Sequence, residues 1–239
     1  MNVLLIQIRH PNDEMALHEQ TCLKRRAHRL DVEWSFKNVF GEQPCSGWLD
    51  GISAMIVGGS GSYSVHDARS THWVTPLRDV LELALANALP SFGICFGHQL
   101  LGYHLGSKVK TETDLAEVGT IPIELTDEGA RDPVFGAFAP TFYAHTGHSD
   151  SVIGVPDAVT VLGRSDVLET QIFKVIGAPF YSTQFHPDIS GEEARLRYMA
   201  YQNGLAESTP MARPEERERY TVGQDESNQL LPRFLEVLT

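Results

Sequence analysis

The sequence predicts a three-layer α/β domain whose central sheet is mostly parallel, with helices on both faces. Three observations lead there. Short, nearly continuous apolar runs at 3–8 and 53–57 have the texture of strands buried on both sides. Helix-like stretches alternate with them, and a third apolar run at 91–94 turns abruptly into another helical pattern at Cys95. At 239 residues, 42% hydrophobic and 21% charged, the chain has the size and material for one such core.

Val3 to Ile8 reads as the first strand, closed by Arg9-His10-Pro11-Asn12-Asp13. Glu14 to about Leu30 carries helix formers without internal Gly or Pro and predicts the first helix. Val32 to Phe40 predicts a second strand, and Ser53 to Val57 a third that runs into the glycine loop Gly58-Gly59-Ser60-Gly61-Ser62. From Thr75 to Ala88, Leu77, Val80, Leu81 and Leu85 make a helical stripe, with Thr75 as cap and Pro76 in the first turn. After Ser107 the pieces become short and β-like, at 108–112, 120–125, 159–163, 171–175 and 179–185, and these extend the sheet with an antiparallel section. The tail predicts helices at 192–202 and 227–238, the second crossed by Pro232, joined by an exposed connection at 208–219 rich in proline and charge. The expected organisation is one domain over 1–190 and a helical extension over 191–239 packed on it.

A net charge of −12 opposes binding to a phosphate backbone, which excludes nucleic acid as a partner. The single basic cluster, Lys24-Arg25-Arg26 with Arg29, falls on the first helix and reads as a solvated face. Three scattered cysteines, Cys22, Cys45 and Cys95, make neither a disulfide framework nor a Cys-x-x-Cys metal site, so a reducing compartment is expected. The N-terminus lacks a basic leader and no segment approaches a membrane span, which predicts a cytoplasmic protein with no membrane partner.

The chemistry concentrates at Gly93-Ile94-Cys95-Phe96-Gly97-His98-Gln99. A cysteine between two glycines, where a strand becomes a helix, forms a nucleophile elbow: the glycines let neighbouring backbone pass while the cysteine is held strained and outward. The positive end of the following helix favours thiolate over thiol. A base is offered by Phe185-His186-Pro187-Asp188. A residue before proline is extended, and extended residues two apart project to one side, so His186 and Asp188 address one another. Asp188 would orient the imidazole, which would take the Cys95 proton and later deliver it to a leaving amine. The amides of Gly59 and Phe96 would converge on a developing oxyanion.

Plainer readings stand beside each of these. Cys95 alone suits a small buried hydrophobe, His186 a satisfied structural histidine, Asp188 a turn or helix cap, and Gly59 a chain turn. His145, His148, His98 and His104 invite a metal, but no cysteine or clustered carboxylate joins them at ligand spacing; loop or substrate-lining roles fit better, and no cofactor is expected.

In combination, Gly58-Gly59-Ser60, Gly93 to Gln99 and Gln184-Phe185-His186-Pro187-Asp188 resemble the motifs of class I glutamine amidotransferases, most closely those similar to the amidotransferase domain of GMP synthase. The resemblance runs from Val3 to about Ser190 and implies a flavodoxin-like fold. It also implies hydrolysis of a γ-carboxamide through a γ-glutamyl thioester, with release of ammonia. Carried over by position, it makes Cys95 the nucleophile, His186 the base, Gly59 and Phe96 the oxyanion donors and Gln99 a holder of the glutamine backbone groups. It places His148, Ser149 and Asp150 beside the substrate's amino and carboxylate ends. Two positions depart from the family pattern: Asp188 stands where glutamate is usual, and Ser149 where glycine is usual. The expected substrate is glutamine, with a synthase subunit in trans as a possible partner. The alternatives are a γ-glutamyl peptidase or hydrolase, a catalytically weak regulatory subunit, and an unrelated cysteine hydrolase.

Overall fold

A computed structural model of the protein describes residues 1–201 and 214–239. Among the described residues, eleven strands and six α-helices follow in chain order. They are β1 (Asn2–Ile8), α1 (Met15–Arg26), β2 (Glu33–Asn38), β3 (Ala54–Ser60), α2 (Thr71–Ala86), β4 (Ser91–Ile94), α3 (Phe96–His104) and β5 (Lys108–Thr111). Then come β6 (Glu117–Leu125), α4 (Asp127–Arg131), β7 (Thr141–His148), β8 (Asp150–Ile153), β9 (Val159–Arg164), β10 (Ile172–Val175), β11 (Phe180–Thr183), α5 (Gly191–Ala200) and α6 (Leu230–Leu238).

Nine strands make one sheet in the order β2-β1-β3-β4-β11-β10-β9-β6-β7, while β5 and β8 form a separate antiparallel pair. β2, β1, β3, β4 and β11 run parallel, and β10, β9, β6 and β7 continue the sheet antiparallel. The two-residue period of a strand explains the layering. Leu4, Ile6, Met55 and Val57 face one core with Trp73, Leu77 and Leu81 of α2 and Leu100 and Leu101 of α3. Val3, Leu5, Ala54 and Ile56 face the other core, with Leu23 of α1 and Leu230, Leu231, Phe234 and Leu235 of α6. Phe234 sets its ring edge-on to Phe92 of β4 and Tyr181 of β11, at centroid distances of 5.2 and 5.9 Å.

Several boundaries differ from the sequence reading. β3 continues through Gly58 and Gly59 to Ser60, so the oxyanion candidate sits on a strand end rather than in a loop. α2 begins at Thr71, not Thr75, because Asp67 accepts from the Arg69 amide and starts a 3-10 turn at Ala68–Ser70 that feeds straight into the helix. Pro76 is therefore inside the helix and costs it one backbone hydrogen bond. β7 and β8 were not expected as strands; β7 pairs along its whole length with β6 and β8 with β5. The last predicted helix divides into a 3-10 turn at Glu226–Gln229 and α6, where Pro232 falls in the first turn and displaces no intrahelical donor. The basic cluster on α1 is not merely a solvated face: Arg25 and Arg26 pair with Glu193 of α5, and Lys24 lies over the Phe36 ring. Within the predicted connection at 208–219, Pro214–Arg219 is a 3-10 helix, and 208–213 lies outside the described residues.

Candidate active site

β3, β4 and β11 end together on one edge of the sheet, and the candidate residues gather there. β4 stops at Ile94 and α3 starts at Phe96, leaving Cys95 to make the turn alone at φ 50°, ψ −96°. This backbone is costly for any residue with a Cβ. The surroundings enforce it. The Cys95 amide donates to the Thr183 carbonyl at the end of β11 (2.8 Å), and its carbonyl accepts from the Gln99 amide (3.0 Å). A Cβ on Gly93 would stand 2.6 Å from the Gly97 carbonyl oxygen, and one on Gly97 would run into the Val57 carbonyl, so the flanking glycines are required by close backbone approach. The first amides of α3, including that of Phe96, lack intrahelical acceptors and open beside the cysteine, while the Phe96 ring packs into the core against Trp73.

Beyond β11, the His186 amide donates to the His145 carbonyl of β7 (2.8 Å), which ties this segment to the neighbouring sheet edge. His186 Nδ1 and Asp188 Oδ1 are 3.0 Å apart, both side chains buried. His186 is extended where it bridges to His145, and the chain then turns at Pro187 and Asp188, so a turn rather than a continued extended run brings the two side chains together. Asp188 does not cap the next helix. Ser190 does, its hydroxyl accepting from the Glu193 amide while the Glu193 carboxylate accepts from the Ser190 amide.

Electrostatics follow from this geometry. Burial by itself lowers the His186 pKa, but the Asp188 charge and hydrogen bond, with Cys95 as a further neighbour, raise it to about 9. Burial opposes ionisation of Asp188, yet Arg197 and then His186 outweigh it and hold that carboxyl far below the usual carboxylate range. Arg197, on α5, was not foreseen. Its Nη2 donates to Asp188 Oδ2 at 3.0 Å and its Nη1 lies 3.3 Å from His186 Nδ1. Its only sequence signal is helical spacing: Ala194 and Arg197 share the buried face while Leu196 points to solvent, the reverse of what hydropathy suggests. Gln184 also went unforeseen; its carboxamide Nε2 lies 3.6 Å from Cys95 Sγ.

Gly59 stands directly against the imidazole of His186, because a Cβ there would lie 2.8 Å from Cε1. The remaining candidates form a second group. Gln99 Nε2 donates to the Asp150 carbonyl (2.8 Å) and to Gln184 Oε1 (3.3 Å), linking this group to Cys95 through Gln184. His148 Nδ1 is 3.0 Å from the same Asp150 carbonyl, and its Nε2 is 3.1 Å from Glu117. Ser149, half-buried, makes the turn between β7 and β8, and the Asp150 carboxylate accepts from Ser64 and Thr111. The Gln99 and His148 side chains are thus committed to partners within the protein.

The side chains of His98, His145 and His104 are held by other partners. His98 is fully buried, with Nδ1 2.9 Å from Ser182 Oγ and its ring against Phe173, and burial together with His148 lowers its pKa to about 3. His145 is held between Thr120 and Asp225, each at 2.9 Å, and His104 lies 3.0 Å from Glu82. Among the described residues no cluster of three or more His, Cys, Asp or Glu is placed to hold a metal ion, and no helix is long and apolar enough to cross a membrane.

Known proteins resemble the chain in sequence and in fold. The family model described as glutamine amidotransferase class-I matches residues 21–202. The glutamine-hydrolyzing GMP synthase subunit of Methanothermobacter thermautotrophicus is 34% identical over 101 residues, 42% of this chain and 52% of that protein. Its counterpart from Sulfurisphaera tokodaii is 29% identical over 138 residues, 58% of this chain and 69% of that protein. The chain therefore matches between 52% and 69% of the length of these two relatives. A glutamine amidotransferase structure from Thermotoga maritima superposes with a TM-score of 0.73 at 22% identity, covering 100% of this chain and 97% of that one. A Thermoplasma acidophilum structure named for a GMP synthase subunit gives 0.65 at 19% identity, covering 84% and 92%. These two likenesses establish a shared fold, and the family model spans most of the chain: the protein belongs to the class I glutamine amidotransferases.

Proposed function

We propose that the protein hydrolyses a γ-glutamyl amide, with L-glutamine as substrate and glutamate and ammonia as products. Cys95 Sγ, its proton already passed to His186, attacks the side-chain carbonyl carbon, and the amides of Gly59 and Phe96 hold the tetrahedral oxyanion. Collapse breaks the carbon–nitrogen bond as His186 returns its proton to the departing ammonia, leaving a γ-glutamyl thioester on Cys95. His186 then deprotonates a water that attacks the thioester; glutamate forms and the sulfur leaves with a proton from His186. Asp188 keeps the His186 Nδ1 proton in place, so the other ring nitrogen serves the sulfur.

The observation that carries this reading is the buried 3.0 Å link between His186 and Asp188, with Cys95 near enough to the same imidazole to help raise its pKa. Gln99, His148, Ser149 and Asp150 make the substrate end. With the Gln99 amide and His148 ring already bonded inside the protein, the Asp150 carboxylate, only 13% exposed but with acceptor capacity left, receives the substrate ammonium. The relatives described as parts of a glutamine-hydrolyzing GMP synthase support a use for the ammonia in a synthase acting in trans.

Ser149 in the β7–β8 turn favours a second reading, a hydrolase of γ-glutamyl peptides or amines. Glutamate release from L-glutamine and from a γ-glutamyl panel including glutathione separates the two. Turnover of glutamine that disappears in Cys95→Ala supports the first reading, and turnover of the panel alone supports the second. Absence of both, with no mass adduct at Cys95 from a glutamine-mimicking electrophile, overturns the enzymatic reading.

A further inference from the structure

A catalytic histidine paired with a buried carboxylate faces a problem of balance. The carboxylate must orient the ring, yet an unshared negative charge in a low-dielectric site would hold the imidazolium proton too firmly for it to leave with ammonia. Here the Asp188 carboxylate is shared. Oδ1 faces His186 Nδ1 at 3.0 Å and Oδ2 accepts from Arg197 Nη2 at 3.0 Å, so its two oxygens are spoken for by different cationic partners. Arg197 Nη1 also sits 3.3 Å from Nδ1 itself. A guanidinium has donors only, so it works against a proton on that nitrogen, while the shorter Asp188 contact keeps the proton there.

We infer that Arg197 is a positioning residue that locks the Asp188 carboxylate in the plane needed by His186 and weakens its hold on the imidazolium proton. The inference rests on the amidotransferase reading above for its consequence in turnover, but not for its effect on the imidazole. Asp188 is one methylene shorter than glutamate, so its orientation depends on what grips its second oxygen, and α5 supplies that grip. The side chain of Arg197 is only 7% exposed and that of Asp188 1%, so water does not screen the contact.

The charges around this pair are few. His186 faces Cys95 at the elbow, Asp188 on its own segment, Arg197 from α5, His145 from β7 and, across Gly59, Arg9 from the end of β1. Arg9 is itself neutralised by Glu19 at 3.0 Å. On its other side Arg197 meets α1, where His18 Nδ1 is 3.5 Å from Nη2 and Glu19 and Cys22 lie within electrostatic reach. The Cys22 thiol is pushed up to about 12 by burial and stays uncharged near neutrality, and burial and Arg197 lower His18. Removing Arg197 therefore leaves His186 as the cation bonded to the Asp188 carboxylate, Arg26 reaching only the Asp188 backbone carbonyl at 3.2 Å, and the proton is held more tightly.

The test uses the full chain with ring-labelled histidine, His186 being assigned by its loss in His186→Gln. In Arg197→Met the midpoint of His186 deprotonation rises by about one pH unit. The kcat for glutamine falls about tenfold or more with KM little changed. Arg197→Lys, which keeps a cation without the planar fork, restores the midpoint partly and recovers part of kcat. If Arg197→Met merely lowers the melting temperature while the His186 midpoint stays at its wild-type value, Arg197 is only an anchor for α5 and the inference fails. Should Arg197→Met not fold, the same midpoint in Arg197→Lys decides: a wild-type value overturns the inference and a raised one supports it. A wild-type protein inert toward glutamine whose His186 midpoint still rises in Arg197→Met upholds the coupling and overturns the amidotransferase reading instead.

Discussion

The imidazole of His186 rests against Gly59 so closely that a methyl group on Gly59 would stand 2.8 Å from Cε1. In the proposed mechanism one glycine serves two needs: its amide faces the oxyanion, and its lack of a side chain leaves room for the imidazole. Gly59→Ala should displace the ring away from Cys95 while leaving the strand paired. A misplacement on the order of 1 Å at a reacting group costs about a hundredfold in rate, and kcat should fall by that order. The melting temperature should drop only a few degrees, because the added carbon meets one ring edge and no backbone. Steady-state kinetics and a thermal melt check both; a folded variant with wild-type kcat rejects the placement of His186 as the base.

Cys95 at φ 50°, ψ −96° makes a separate point about stability. Glycine reaches this conformation without penalty and alanine does not, so Cys95→Gly should be more stable than Cys95→Ala by about 1 kcal/mol, although alanine fills more of the site. Both should be inactive. Urea unfolding of the two variants measures the difference, and equal midpoints would mean that the elbow is unstrained.

Gly97→Ala carries the opposite expectation. Its added carbon would collide with the Val57 carbonyl of β3, which is ordered backbone and cannot step aside. Overpacking of this kind costs about 1–3 kcal/mol or more. The variant should lose stability and, by pushing α3 off the sheet, lose activity as well; chemical denaturation compared with wild type reads the cost.

The legibility of the chain followed the range of each signal. Leu4, Ile6, Met55 and Val57 announced buried strands because burial on both faces leaves a local apolar run. The elbow and the His-x-Asp pair were readable because turn geometry and the pre-proline restriction act within a few residues. Arg197 was not, since its burial depends on Asp188 meeting α5 in space and an arginine on a charged helix looks solvated. β7 escaped for a related reason: His145, Thr146 and His148 are polar residues at buried positions, which breaks the apolar alternation, and the strand is held by its pairing with β6. The Thr75 cap was a local rule overruled by a nearer one, the Asp67 turn.

Stability should carry an alkaline limb that belongs to His186. Its folded-state pKa is raised to about 9 from an ordinary 6.5, so the stabilisation is complete below about pH 6.5 and is lost as pH rises through 9. Asp188 works the other way, its folded value being depressed: what it contributes is present above the ordinary carboxylate value and vanishes only in strong acid. His98 and His145, lowered by burial, penalise folding as pH falls below 6.5, which makes an acid limb independent of the catalytic pair. Urea unfolding at pH 7 and pH 9.5 should therefore show wild type losing more stability than His186→Gln over that interval, by up to about 3 kcal/mol. The variant should keep the acid limb, because His98 and His145 remain. Parallel losses in the two proteins between pH 7 and 9.5 would show that His186 is not held protonated by Asp188 in the folded state.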